Sequence, residues 1–295
     1  MKVNVKMEDN WIYSNSQINM KTILITGSTS GIGKALVYHL MDDQFDLILV
    51  GRNQLLLDEL EKFVKKEVPK RRIFTYVMDF GKLEDVYQVS NVIKKNHPQI
   101  DYLYHNAGAV PQTKNAWTKD GHLEALQINY LSMLLMNEIL LENVLNSSEK
   151  TILHTTSMSA SKKFYMDEIS MMSQYGRIKI YGISKLFSRL YFHQLATIHN
   201  DLKIKLINPG IVFTNQIRHM IPKPLRFLEG GVRLFIKDPN QVAGHIKSII
   251  KKNQEVPIEL YKGNKIEKHA KINLDQDLQK EVMMYSMDLL KGYSL

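Results

Sequence analysis

At 295 residues and 44% hydrophobic content, the chain can bury a full core as one large α/β unit. It contains no cysteine, which excludes disulfides, thiolate nucleophiles and cysteine-ligated zinc, and none of its ten histidines stands in a metal-binding spacing. The formal charge of +9 suits a polyanion-binding surface, but Lys and Arg are scattered and no aromatic-basic motif accompanies them, so nucleic acid is not an expected partner.

Residues 1–19 carry acids and amides without the apolar stretch of a signal peptide, and are expected to form a disordered arm before a catalytic domain over 20–295. No run approaches the ~20 apolar residues that span a bilayer, and the lack of cysteine fits a reducing, cytoplasmic compartment. From Lys21 onward, short apolar runs alternate with helical patterns. Strands are expected at 22–26, 46–50, 72–77, 101–105, 151–156, 203–208 and 257–260. Helices are expected near 31–42, 53–67, 82–96, 121–145, 178–199 and 239–252. This alternation predicts an α/β fold: one doubly wound, seven-stranded parallel sheet with helices on both faces.

The first strand runs directly into Gly27-Ser28-Thr29-Ser30-Gly31-Ile32-Gly33, and a helix follows. Glycines there permit a tight turn and close approach of backbone to a pyrophosphate at a helix N-terminus, a Rossmann-type arrangement. The three hydroxyls are expected beside the same anion. After the second strand stand Gly51-Arg52-Asn53, with no carboxylate to hold the ribose 2′-OH of NAD; Arg52 offers a planar fork of donors for the 2′-phosphate of NADP(H).

The glycine spacing G-x-x-x-G-x-G, Asn106-Ala107-Gly108 after the fourth strand, Asn129, Ser157, Tyr181-Gly-Ile-Ser-Lys185 and Asn208-Pro209-Gly210 occur in one order along the chain. In this order they resemble the short-chain dehydrogenase/reductase family, over residues 21–262. Asp120-Gly121, the long gap before Tyr181 and the tail from Leu260 to Leu290 resemble its retinol-dehydrogenase-like members. The resemblance implies NADP(H) contacts from Asn53, Asp79, Phe80, Asn106, Ala107, Gly108, Pro209, Gly210, Val212 and Thr214. It also implies a small-molecule carbonyl or alcohol substrate, a homodimer through the helices bearing Asn129 and Tyr181, and a substrate cover near 215–237. That cover mixes apolar and basic residues, suited to an apolar substrate and equally to weak contact with an anionic membrane surface.

Reduction of a carbonyl needs a proton donor at the oxygen while hydride arrives from the cofactor. The family uses Tyr and Lys one helical turn apart, and this chain has that spacing twice, at Tyr175/Lys179 and Tyr181/Lys185. The second pair opens the longer helical pattern and has Ser184 before the Lys, as relatives commonly do. A cation ~4 Å from a phenol contributes about 4 kcal/mol at an effective dielectric of ~20, which lowers a phenol pKa of ~10 by at most about three units. Ser157 is expected to bond the substrate oxygen and Tyr181, and the resemblance implies that Asn129 supports Lys185 through water. The extra loop at 162–174 must leave the fifth strand and return. Tyr175 is expected to pack at its end with Lys179 solvated, and His105, His122 and His154 to be strand-end or surface residues. A non-catalytic NADP-binding sensor or scaffold is the alternative, although such proteins typically lose the Tyr, Lys or Ser.

Overall fold

The apolar runs form strands whose side chains are buried alternately on two faces, as expected when helices cover both sides of a sheet. Leu24, Ile48, Leu103 and Ile152 join one core; Ile23, Ile25, Leu47, Leu49 and Leu153 join the other. The structure, a computed structural model, describes residues 20–111, 113, 116–157, 159–161, 163–212, 236–267 and 275–295. The arm at 1–19, Thr214 and residues 215–235 of the expected substrate cover lie outside the described residues.

In chain order the elements are β1 (Lys21–Thr26), α1 (Gly31–Leu40), β2 (Phe45–Gly51), α2 (Gln54–Glu67), β3 (Ile73–Val77), α3 (Leu83–Asn96) and β4 (Tyr102–His105). There follow α4 (Glu124–Leu126), a π-helical turn (Gln127–Leu131), α5 (Ser132–Leu145), β5 (Thr151–Thr155), a 3₁₀ segment (Met166–Gln174), α6 (Arg177–Ile198) and β6 (Lys203–Asn208). The described chain ends with α7 (Pro239–Ile250), β7 (Ile258–Lys262), β8 (Lys265–Ile266) and α8 (Gln276–Leu290).

The sheet order is β3-β2-β1-β4-β5-β6-β7-β8. The seven expected strands are parallel; β8 is a short antiparallel addition, paired to β7 through Tyr261–Ile266 and Lys262–Lys265. A two-residue turn makes it possible, with Gly263 at φ +64°, a value that favours glycine. Helices α1, α2 and α7 cover one face, and α3, α5, α6 and α8 the other. The order in which successive strands are added to the sheet reverses between β1 and β4, and the crevice at their C-terminal ends is where open α/β sheets bind ligands.

Two expected helices differ in their starts. The pattern from 121 onward yields a turn first: Gly121 sits at φ +81°, and Asp120 accepts hydrogen bonds from the Leu83 amide at 2.8 Å and from Gln127 Nε2 at 2.6 Å. Asp120 thereby satisfies an amide in the first turn of α3, whose own preceding residue, Lys82, offers no side-chain cap. Helix α6 begins at Arg177, so Tyr181 lies in its second turn rather than opening it.

Candidate active site

Gly27 leaves β1 at φ +66°, and the turn folds so tightly that a Cβ on Gly33 would collide with the Gly27 carbonyl. A Cβ on Gly27 itself would meet the Ala107 Cα and Asn106 Nδ2, each at 3.1 Å. Ser30 precedes α1 with no side-chain capping bond, and the first turn of α1 holds no acid, so its amides face no competing negative charge. This cradle fits a dinucleotide pyrophosphate. Ser28 departs from expectation: it is fully buried and its hydroxyl donates to the Val50 carbonyl at 3.2 Å, bracing β1 to β2. Thr29 packs against Gly51, where a Cβ would lie 2.9 Å from its methyl group.

Arg52 is exposed at the C-terminal end of β2. Asn53 caps α2, its side chain accepting from the Leu56 amide at 3.2 Å. Asp79 accepts from the Gly81 amide at 2.9 Å, and the Phe80 carbonyl from Ser132 Oγ at 2.7 Å, fixing the turn after β3.

Thr26, which sequence reasoning passed over, holds the crevice together. Its hydroxyl accepts from the Asn106 and Ala107 amides, both at 2.9 Å, while its carbonyl accepts from Asn106 Nδ2 at 3.0 Å. Only its place as a small polar residue at a strand end before glycine hinted at this. At the far side, Asn208 Oδ1 accepts from the Gly210 amide at 3.1 Å, with Gly210 at φ +78°; Pro209 precedes that turn and Val212 is buried.

The expected chemical group comes together on β5, α6 and the π-helical turn. Ser157 stands beside Tyr181 and lowers the cost of ionising its phenol, and Ser157 Oγ accepts from the Ser159 amide at 3.1 Å. Lys185 Nζ lies 5.9 Å from the Tyr181 ring centre and donates to the Thr155 carbonyl at 2.9 Å. Asn129 is buried, its amide accepting from the Ala109 N–H at 2.7 Å and donating to the Ala109 carbonyl and to Ser184 Oγ. A Cβ on Gly108 would lie 3.1 Å from Asn129 Oδ1 and 3.5 Å from Lys185 Nζ. Gly182 permits another close approach: a Cβ there would strike the Ser159 carbonyl, and its own carbonyl accepts from the Ser161 amide at 2.9 Å.

Electrostatics differ from the expectation for the phenol. Burial pushes Tyr181 above its usual value, partly opposed by Ser157. Burial also lowers Lys185 to about 8. The ammonium is bound to a backbone carbonyl and stands off the ring, so desolvation outweighs its attraction for a phenolate.

Tyr175 lies outside this group. Its hydroxyl donates to Glu168, and Lys179, more than half exposed, stacks 3.3 Å from its ring centre while pairing with Glu168 at 3.8 Å. His105 and His154 are buried strand-end residues, bonded to Asn137 at 3.0 Å and Ser188 at 3.1 Å. Among the described residues no helix is long and apolar enough to cross a membrane, and no cluster of three metal-ligating side chains occurs.

Retinol dehydrogenase 13 of Mus musculus is 26% identical over 212 residues, covering 70% of this chain and 63% of that protein. Polyprenol dehydrogenase of Homo sapiens is 24% identical over 211 residues, covering 68% and 63%. This chain thus spans less than two thirds of the length of either relative. The fold matches an alcohol dehydrogenase from the archaeon Thermococcus sibiricus, solved with 5-hydroxy-NADP, with a TM-score of 0.65 at 19% identity, covering 83% of this chain and 97% of that one. Residues 21–223 match the family described as short chain dehydrogenase, a stretch from β1 past Pro209-Gly210 that takes in the glycine turn, Ser157, Tyr181 and Lys185, and the chain belongs to that family.

Proposed function

We propose that this protein is an NADP(H)-dependent oxidoreductase that interconverts a carbonyl and an alcohol. The carrying observation is the convergence of Ser157, Tyr181, Lys185 and Asn129 at the C-terminal end of the sheet, beside a glycine turn shaped for a pyrophosphate. When bound, the nicotinamide supplies or accepts the hydride. Ser157 holds the substrate oxygen by a hydrogen bond. Tyr181, kept protonated by burial, gives its proton to that oxygen in reduction and recovers it in oxidation. Lys185 brings the cation that favours proton release from the phenol and offers donors to the cofactor ribose. Asn129 fixes the Ala109 backbone and Ser184 beside them. Arg52 at the end of β2 supports NADP over NAD.

An apolar substrate agrees with the exposed Trp117, Tyr165 and Ile211, which follow β4, β5 and β6 on the same end of the sheet. Two relatives are named for retinol and polyprenol. A homodimer through α5 and α6 belongs to the same reading. A panel of apolar aldehydes, ketones and alcohols assayed with both dinucleotides tests it: turnover with NADPH or NADP, lost in Tyr181→Phe, is the expected result. Tight dinucleotide binding without turnover of any compound would instead establish a sensor or scaffold.

A further inference from the structure

At the opposite end of the sheet from the glycine turn, the N-terminal ends of β1, β2, β4, β5 and β6 enclose a cavity of about 450 Å³, within the size range of small-ligand sites. Five lysines line it: Lys21, Lys203, Lys205, Lys251 and Lys252. Two carboxylates, Asp43 and Glu149, also line it, so the wall carries a formal charge of five minus two, or +3.

Both acids are already ion-paired. Asp43 pairs with Lys247 at 3.2 Å and Lys251 at 2.6 Å; Glu149 pairs with Lys21. Lys203, Lys205 and Lys252 have no carboxylate within ion-pair distance among the described residues, although the Lys252 ammonium commits one N–H to the Asn264 carbonyl and lies 5.6 Å from the Tyr261 ring centre. Lys205 is buried, and its ammonium donates to the Ile249 carbonyl at 2.8 Å and the Lys252 carbonyl at 2.7 Å, using two of its three N–H groups. Its cross-strand neighbour Glu259 is engaged by the Tyr261 hydroxyl. A concave, low-dielectric wall with surplus charge of one sign concentrates counter-ions, and lysines without an arginine fork act as point charges on them.

We propose that this cavity binds a compact, multiply charged phosphate anion of the pyrophosphate class, at a site separate from the dinucleotide cradle. Lys203 and Lys252 clamp it from the rim and Lys205 holds it from below. A flat anionic membrane surface fits less well, because Lys205 lies beneath the surface at the base of the cavity.

The test uses the full-length protein and inorganic pyrophosphate at low salt, with the dinucleotide cradle saturated by NADP. Calorimetry is expected to give a dissociation constant below about 1 mM, weakened at least about tenfold by Lys203→Gln with Lys252→Gln and unchanged by Lys66→Gln, an exposed lysine on α2 away from the cavity. No binding by the native chain, or equal binding by the double variant, overturns the proposal. Should the double variant fail to fold, amine acetylation mapped by mass spectrometry on the native chain decides: pyrophosphate is expected to protect Lys203 and Lys252, and unprotected lysines overturn it. Binding to anionic vesicles with no response to pyrophosphate also overturns it.

Discussion

Lys185 Nζ donates to the Thr155 carbonyl at 2.9 Å, binding α6 to the last residue of β5 directly beside the Ser157–Tyr181 pair. The bond holds a buried ammonium that meets no carboxylate among the described residues, and burial draws its pKa to about 8. Folding therefore disfavours the charged form. The unfolded chain, with a lysine pKa of ~10.4, binds the extra proton between pH 8 and 10.4, so this contribution to stability rises across that window and its penalty is full below it. At neutral pH the penalty is about 3 kcal/mol as an upper figure. Lys185→Met is expected to raise the thermal midpoint at pH 7 while lowering turnover by about 10² or more. Calorimetric melting and steady-state rates check both halves, and a less stable variant would contradict the buried-charge account.

Reductive turnover by the native enzyme is expected to hold steady from pH 6 to about 7.5 and to fall as Lys185 loses its proton near 8. Burial keeps Tyr181 protonated across that range, so the break belongs to the lysine. A pH–rate profile of kcat reads it directly.

Tyr175→Phe is expected to leave turnover within a few-fold, because its hydroxyl is committed to Glu168 and its ring to Lys179. Tyr181→Phe is expected to lower turnover by about 10² to 10⁴, with dinucleotide affinity nearly unchanged. The reverse ranking in steady-state rates would move the proton donor to the other tyrosine.

Gly182→Ala places a methyl group against the Ser159 carbonyl, two residues past Ser157. The strand-end loop must shift, and displacements of this order cost about 10²-fold in rate. Turnover should fall with NADP affinity preserved. Gly176→Ala is the control, since a Cβ there meets nothing within 4 Å and its φ of −68° suits any residue.

Arg52→Asp is expected to weaken NADP far more than NAD by opposing the 2′-phosphate with like charge. Dissociation constants for both dinucleotides, measured by nicotinamide fluorescence, give the ratio; an unchanged ratio removes Arg52 from the cofactor assignment.

The parallel sheet was legible because its signals are local: apolar runs of four to six residues, each followed by a helical repeat. The glycine turn and the Tyr181–Lys185 spacing were legible for the same reason. What escaped depends on partners far along the chain. Thr26 meets Asn106 across 80 residues, Asp120 meets Leu83 across 37, and neither contact leaves a periodic trace. Strand β8 is two residues long, too short for any pattern. Ser28 read as a phosphate contact because a hydroxyl in a glycine turn looks the same whether it points to a ligand or, as here, to the neighbouring strand. The Tyr181 shift ran opposite to expectation because spacing reveals a nearby cation but not the depth of burial.

The central position of β1 has a consequence during synthesis. Its two neighbours are β2, about twenty residues later, and β4, which begins at Tyr102. At ~5–20 residues per second, a ribosome needs roughly 4–16 s to deliver β4 after β1 has emerged. Through that interval one edge of β1 has no strand to pair with, and Ile23, Leu24 and Ile25 lack part of their final cover. The nascent chain is therefore a candidate for holding chaperones before the dinucleotide crevice exists, and slowing translation between residues 50 and 100 should lengthen that exposure in proportion.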